Sequence, residues 1–178
     1  ATGEESDDET LGGAQMHSEV SGLSDYLAED EMDALRICRE VVSHLNWKKA
    51  EEDPQLRSES PAYDSEELLG LVSPDLKTPF DIKEAIARFV DGSRFEEFKP
   101  LFGPTIVTGW AEVHGYPVGI VANNGAIYPD SAQKAAHFIQ LCNKTNTPII
   151  FLQNVTGFLV GKEFERDGIV KKGSQMIN

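Results

Sequence analysis

Apolar residues Ala34, Leu35, Cys38, Val41, Val42 and Leu45 recur at steps of three and four after Asp25 and Asp30. That spacing predicts an amphipathic helix over 26–46 with one buried face. Residues 1–24 hold paired glycines, small side chains and acids without a hydrophobic period, and so predict ordered loop. Residues 47–79 carry four of the nine prolines and read as a connector, interrupted by one helix-compatible stretch at 66–72. Asp81, with Glu84 three positions on, is an N-cap signal. Ile82, Ala85, Ile86, Phe89 and Val90 then share one face of a second helix, 82–90, stopped by Gly92.

Phe95, Phe98, Leu101 and Phe102 form an aromatic patch ahead of two β-rich runs, TIVTGWAEV and YPVGIVANN. His114 and Gly115 between them predict a hairpin. Ala132, Ala135, Ala136, Ile139 and Cys142 predict a helix over 131–146, which Pro148 ends. The following PIIFLQ does not alternate, as expected of a strand covered on both faces in a parallel sheet. Strand, strand, helix, strand makes the fold class α/β.

Charge narrows the partners. Sixteen basic residues against 30 acidic ones leave a formal charge of -14, which argues against a phosphate-backbone binder, so nucleic acid is excluded as an expected partner. Residues 1–33 hold 11 acids and no Lys or Arg; the remaining 145 carry 19 acids against 16 bases. No apolar run is long enough to predict a membrane span. Cys38 and Cys142, both inside helical apolar patterns, read as buried free thiols. The four histidines are dispersed without a ligand-like spacing, so no metal is expected.

The common nucleotide, nucleophile and zinc signatures are all missing. What remains is Asn154, Val155, Thr156, Gly157 and Phe158, just beyond the last strand, where α/β proteins place ligands. Gly157 permits close backbone approach, and peptide N–H groups there can hold an oxyanion without an ionisable side chain. By residue type alone the bend reads first as a structural turn. Asn123, Asn124 and Gly125, closing the second β run, offer amides to a polar ligand but also spell an ordinary turn. The mixed charges from Lys162 to Lys172 read as a solvated helix face.

Two long stretches, DGSRFEEFKPLFGPTIVTGWAEVHGYPVGIVANNG and HFIQLCNKTNTPIIFLQNVTGFLVGKEFERDGIVKKG, closely resemble the β-subunits of methylcrotonoyl-CoA carboxylases, in the biotin-dependent acyl-CoA carboxyltransferase family. ATGEE, LGGAQMH and SGLSDYLAEDEMDAL extend the resemblance to the first residues. It implies a crotonase-like ββα superhelix. Residues 1–50 would end a first carboxyltransferase half, 51–79 would form a Pro-rich connector, and 80–178 would open the second, biotin-side half. The chain is then expected to be an internal segment, lacking the glycine-rich oxyanion loops and inactive and poorly folded alone.

The implied activity moves a carboxyl group from carboxybiotin to an acyl-CoA, foremost 3-methylcrotonoyl-CoA. Geranyl-CoA or another acyl-CoA carboxyltransferase, a related decarboxylase, or a non-catalytic assembly module are the alternatives. Residue by residue, NVTGF matches the family element lining the biotin side of the cleft, which implies catalytic roles for Gly157 and Phe158 and cofactor contacts along 154–158. Asn123, Asn124 and Gly125 match a strand-end element near the substrate, with Ala122 where the family commonly has Gly. Implied partners are a biotin carboxylase and biotin carrier α-subunit, an acyl-CoA and further copies in a hexameric β core. The implied compartment is bacterial cytoplasm or mitochondrial matrix.

Overall fold

A computed structural model describes residues 7–45, 58–72, 75, 78, 80–154 and 157–177. The N-terminal stretch is helical rather than loop. The Asp7 carboxylate accepts from Thr10 N–H and starts α1, Asp8–Gly12; α2, Ala14–Glu19, follows after the Gly13 turn. Helices of one turn and a half are too short to display a period in sequence.

The next helix, α3, spans Glu31–Ser43 within the expected 26–46, because Asp30 takes the N-cap and accepts from Asp33 N–H. Its apolar face is not buried: Met32, Leu35 and Val42 are 74%, 60% and 56% exposed. Asp33, Arg36 and Glu40 instead face a cleft of about 750 Å³ toward Phe95–Glu97. No described residue covers the apolar side, which also leaves Cys38 exposed, contrary to the expected buried thiol; Cys142 is buried.

The helix-compatible stretch in the connector forms a 3₁₀ turn and α4, Leu68–Leu71. In α5, Ile82–Ile86, Asp81 caps Lys83 N–H. The expected continuation to 90 tightens into i→i−3 bonds at Arg88 and Phe89. Ile82, Ile86 and Val90 remain on one buried face.

The sheet has the order β1-β2-β3-β4. The short β1, Phe95–Glu97, which the sequence pattern did not indicate, pairs antiparallel with β2, Ile106–Val113. β2 turns into β3, Tyr116–Asn123, through His114 and Gly115, both at positive φ. Such a two-residue turn matches the twist of the flanking strands. The buried Asp91 carboxylate accepts both turn N–H groups, at 2.9 and 2.6 Å.

From β3 the chain crosses through α6, Pro129–Thr145, to β4, Ile149–Leu152, parallel to β3. Asn146, at φ 52, ends α6 as a left-handed C-cap. One core, with Phe98, Ile106, Val121 and Phe138, lies between the sheet and α6; a second, with Ile86, Val90, Val107 and Ile120, lies on the α5 side. β4 is less covered than expected: it sits at the sheet edge, and Phe151 is 48% exposed. The chain ends in α7, Lys162–Arg166, and α8, Ile169–Ile177, the latter packed on α6.

Lys99 joins the N-terminal segment to this body. Its buried ammonium donates to Gly22 O and meets Asp25 Oδ1, each at 2.5 Å.

Candidate functional site

The ladder between β3 and β4 ends at the pair Ala122 and Leu152, and beyond it the strands part. There the Asn123 side chain replaces the backbone. Its Nδ2 donates to Asn154 O and its Oδ1 accepts from Asn154 N–H, both at 2.6 Å. The two segments singled out in the sequence therefore meet at the carboxyl ends of the parallel strands, where α/β folds open crevices.

Gly157 and Phe158 are tied back to the same stretch. Ile127 N–H donates to Gly157 O at 3.3 Å and Leu159 N–H to Ile127 O at 3.1 Å, making a parallel bridge between Ile127 and Phe158. Gly157 has φ 130, and a Cβ built there meets nothing within 4 Å, so the bend borders open space. No described residue accepts from the N–H of Gly157 or Phe158. Phe158 is 37% exposed and not core. Its ring rests on α8, where a Cβ at Gly173 would come within 2.9 Å of it. With Val160, Ile169, Val170 and Ile177 it lines an apolar groove of about 390 Å³.

The remaining candidates are placed differently. Asn124 Oδ1 accepts from Ile82 N–H at 3.0 Å, capping α5, and Asn124 N–H donates to Thr105 O, so this residue holds elements together. Gly125 takes φ 147 beside Thr105. Ala122 is fully buried. Val155 and Thr156 lie outside the described residues. Ile127 and Gly173 escaped the sequence reading: one is a single apolar residue in a turn, and the other looks like an unfavourable helix glycine until the ring it accommodates is known.

The bend carries no ionisable side chain, so what it offers a ligand is peptide dipole and apolar wall. The shifted groups lie elsewhere. Lys134, buried on α6 and 3.5 Å from Glu97, is brought down to about 8, first by burial. Burial also lowers His137. Both line a cleft of about 500 Å³ with Lys99 and Gln140. Among the described residues no three His, Cys, Asp or Glu are grouped as for a metal ion.

The family model for the carboxyl transferase domain matches residues 1–178. The chain belongs to that family. A Mycobacterium tuberculosis protein named as the beta2 subunit of a biotin-dependent acyl-coenzyme A carboxylase is 58% identical over the whole chain and 34% of its own length. The methylcrotonoyl-CoA carboxylase beta chain of Dictyostelium discoideum is 52% identical over 99% of this chain and 30% of its own. The chain spans about a third of the length of these relatives. Among solved structures, the hexameric transcarboxylase 12S core superposes with TM-score 0.88 at 34% identity, over 99% of this chain and 35% of that one. The beta subunit of Pseudomonas aeruginosa geranyl-CoA carboxylase is 46% identical, with TM-score 0.67, over 99% of this chain and 34% of that one. The fold is thus the crotonase-like α/β fold of carboxyltransferases, with helices on both faces of the sheet.

Proposed function

We propose that the intact protein is the carboxyltransferase subunit of a biotin-dependent acyl-CoA carboxylase and that 3-methylcrotonoyl-CoA is its acceptor. The observation that carries the reading is the Gly157 bend, anchored on both sides yet open to solvent beside an apolar groove. The donor set suits a neutral bicyclic ring such as biotin's: peptide N–H groups for a carbonyl-type oxygen, the Phe158 face for its apolar edge, and no charged side chain to repel or trap it. Biotin, when bound in its N-carboxylated form, would supply the carboxyl group, and the ureido nitrogen freed of it would take up the proton the acceptor loses. Gly157 and Phe158 would hold developing negative charge through their N–H groups, with no catalytic acid or base required of this chain.

Residues 1–50 and 80–178 are assigned to two related halves joined by 51–79, with a biotin-carrying α-subunit and a hexameric core as partners. The compartment is the mitochondrial matrix or the bacterial cytoplasm, according to source. Acceptor choice is supported by identities of 47–52% to methylcrotonoyl-CoA enzymes, against 46% to the geranyl-CoA one. The test assays the intact protein with its biotinylated partner against 3-methylcrotonoyl-, geranyl- and propionyl-CoA. The highest kcat/KM belongs to 3-methylcrotonoyl-CoA; a preference for geranyl-CoA would reassign the acceptor, and no carboxyl transfer to any of them would leave the assembly-module reading.

A further inference from the structure

We infer that Gly173 is a positioning residue for the carboxyl-transfer site: having no side chain, it gives α8 a notch that seats the Phe158 ring, and the seated ring sets the direction of the Phe158 N–H. The inference rests on the function proposed for the Gly157 bend and adds to it a residue that acts through the ring rather than on the ligand.

Three observations carry it. Gly157 O accepts from Ile127 N–H at 3.3 Å. The described peptide bonds are all trans, so the Phe158 N–H leaves the same planar group on the opposite side, away from Ile127. There no described residue accepts from it. Next, the strand contact is a single bridge between Ile127 and Phe158, closed by one further bond from Leu159 N–H to Ile127 O at 3.1 Å. Two bonds to one residue leave the peptide free to rock about the line that joins them, so the direction of the N–H needs a third hold.

The ring supplies that hold. Ile169, Gly173 and Ile177 follow at steps of four along α8, on one face, and line the groove beside Phe158. A Cβ at Gly173 would stand 2.9 Å from Phe158 Cε1 and 3.4 Å from Cδ1 and Cζ, and these ring atoms are the nearest to it. α8 packs on α6, which begins at Pro129 just beyond Ile127, so the bridge and the notch belong to one framework. Glycine in a helix interior weakens the helix relative to alanine; at the buried position 173 the room taken by the ring is the counterpart of that loss.

A methyl group at 173 pushes the ring out of the notch and turns the Phe158 N–H with it. Phe158→Leu keeps the N–H and removes the ring edge that the methyl would meet. Gly173→Ala should therefore lose turnover in the wild-type background and keep most of what remains in a Phe158→Leu background.

The experiment uses the intact protein in complex with its biotinylated partner and compares wild type, Gly173→Ala, Phe158→Leu and the double variant. For all four, kcat and KM for acyl-CoA are measured, and melting curves report folding separately. A misplacement of about 1 Å at a reacting centre costs on the order of 10²-fold, so the smaller shift in Gly173→Ala is expected to lower kcat about tenfold, with KM for acyl-CoA unchanged. In the Phe158→Leu background the same change lowers kcat by less than about twofold, the non-additivity of residues in contact. Full turnover in Gly173→Ala, an equal fall in both backgrounds, or a raised KM at unchanged kcat overturns the positioning role. So does a Gly173→Ala protein that fails to fold even with Phe158→Leu, since the methyl would then meet more than the ring. A folded Phe158→Leu complex without turnover also overturns it, by putting the ring rather than the peptide at the reacting centre. A wild-type complex that transfers no carboxyl group overturns the underlying function instead.

Discussion

The imidazole of His44 lies flat on the indole of Trp110, ring centroids 4.5 Å apart and planes 11° from parallel, while its Nε2 meets the Glu96 carboxylate. His44 is the C-cap of α3, and Trp110 and Glu96 belong to adjacent strands, so one side chain ties the N-terminal helix to the sheet. Since the apolar face of α3 is uncovered by described residues, this stack is a large share of what seats the helix.

His44→Ala should therefore release α3 without unfolding the sheet. Aromatic pairs contribute about 0.5–1.5 kcal/mol beyond their buried area, so amide exchange in α3 is expected to quicken roughly tenfold while that of β2 and β3 stays unchanged. Equal protection of α3 in both proteins would show that other contacts hold it.

Close packing gives a second expectation, at Gly119. A Cβ there would stand 2.6 Å from Cys142 Sγ and 3.1 Å from Phe138 Cε1. Gly119→Ala should cost about 1–3 kcal/mol, the usual penalty of overpacking, read from the urea midpoint of the intact protein. Adding Cys142→Ala empties the space the new methyl needs, so the double variant should be more stable than the sum of the two single changes. Strict additivity would place the strain elsewhere.

Gly157 and Gly173 separate backbone strain from crowding at the site. At Gly157 a methyl meets nothing within 4 Å, but φ 130 disfavours any L side chain. At Gly173 the conformation is helical and the obstacle is the Phe158 ring. Gly157→Ala should lower kcat by on the order of tenfold by shifting the peptide itself, and should cost about 1–3 kcal/mol of stability through backbone strain. Gly173→Ala should act through Phe158, and trimming the ring in a Gly173→Ala, Phe158→Leu pair should restore part of the loss. Wild-type kinetics in Gly157→Ala would remove the bend from the reaction.

How far these relationships were legible beforehand depended on their range. The hairpin at His114 and Gly115, the α6 period and the strand run ending at Leu152 are local signals, and each stands where the pattern put it. The short α1, α2 and β1 carried too few residues for a period. The α3 stripe was read correctly as amphipathic and wrongly as covered, because a pattern reports which side is apolar and not what lies against it. At the site, the positions of Gly157 and Asn123 could be marked, but the Asn123–Asn154 clamp joins segments that only the crossover through α6 brings together.

Lys134 supplies the last prediction, in the pH dependence of stability. Burial brings its ammonium from 10.5 down to about 8, although Glu97, shared with Lys83, opposes the fall. Between these values the unfolded chain keeps a proton that the folded one has released, so unfolding takes up protons and this group's contribution to stability rises with pH. The contribution is fully present above about 10.5 and lost as pH falls through about 8; at 1.36 kcal/mol per unit it amounts to about 3 kcal/mol. Burial pushes Cys142 up to about 11 and also raises Tyr26. These two groups weaken the fold as the solution becomes alkaline, with the opposite sign. Comparing urea midpoints of wild type and Lys134→Met cancels them, because both proteins share Cys142 and Tyr26. Wild-type stability should therefore gain on that of the variant from about pH 8 to about pH 10; a difference constant across that range would mean that the ammonium is hydrated in the folded protein.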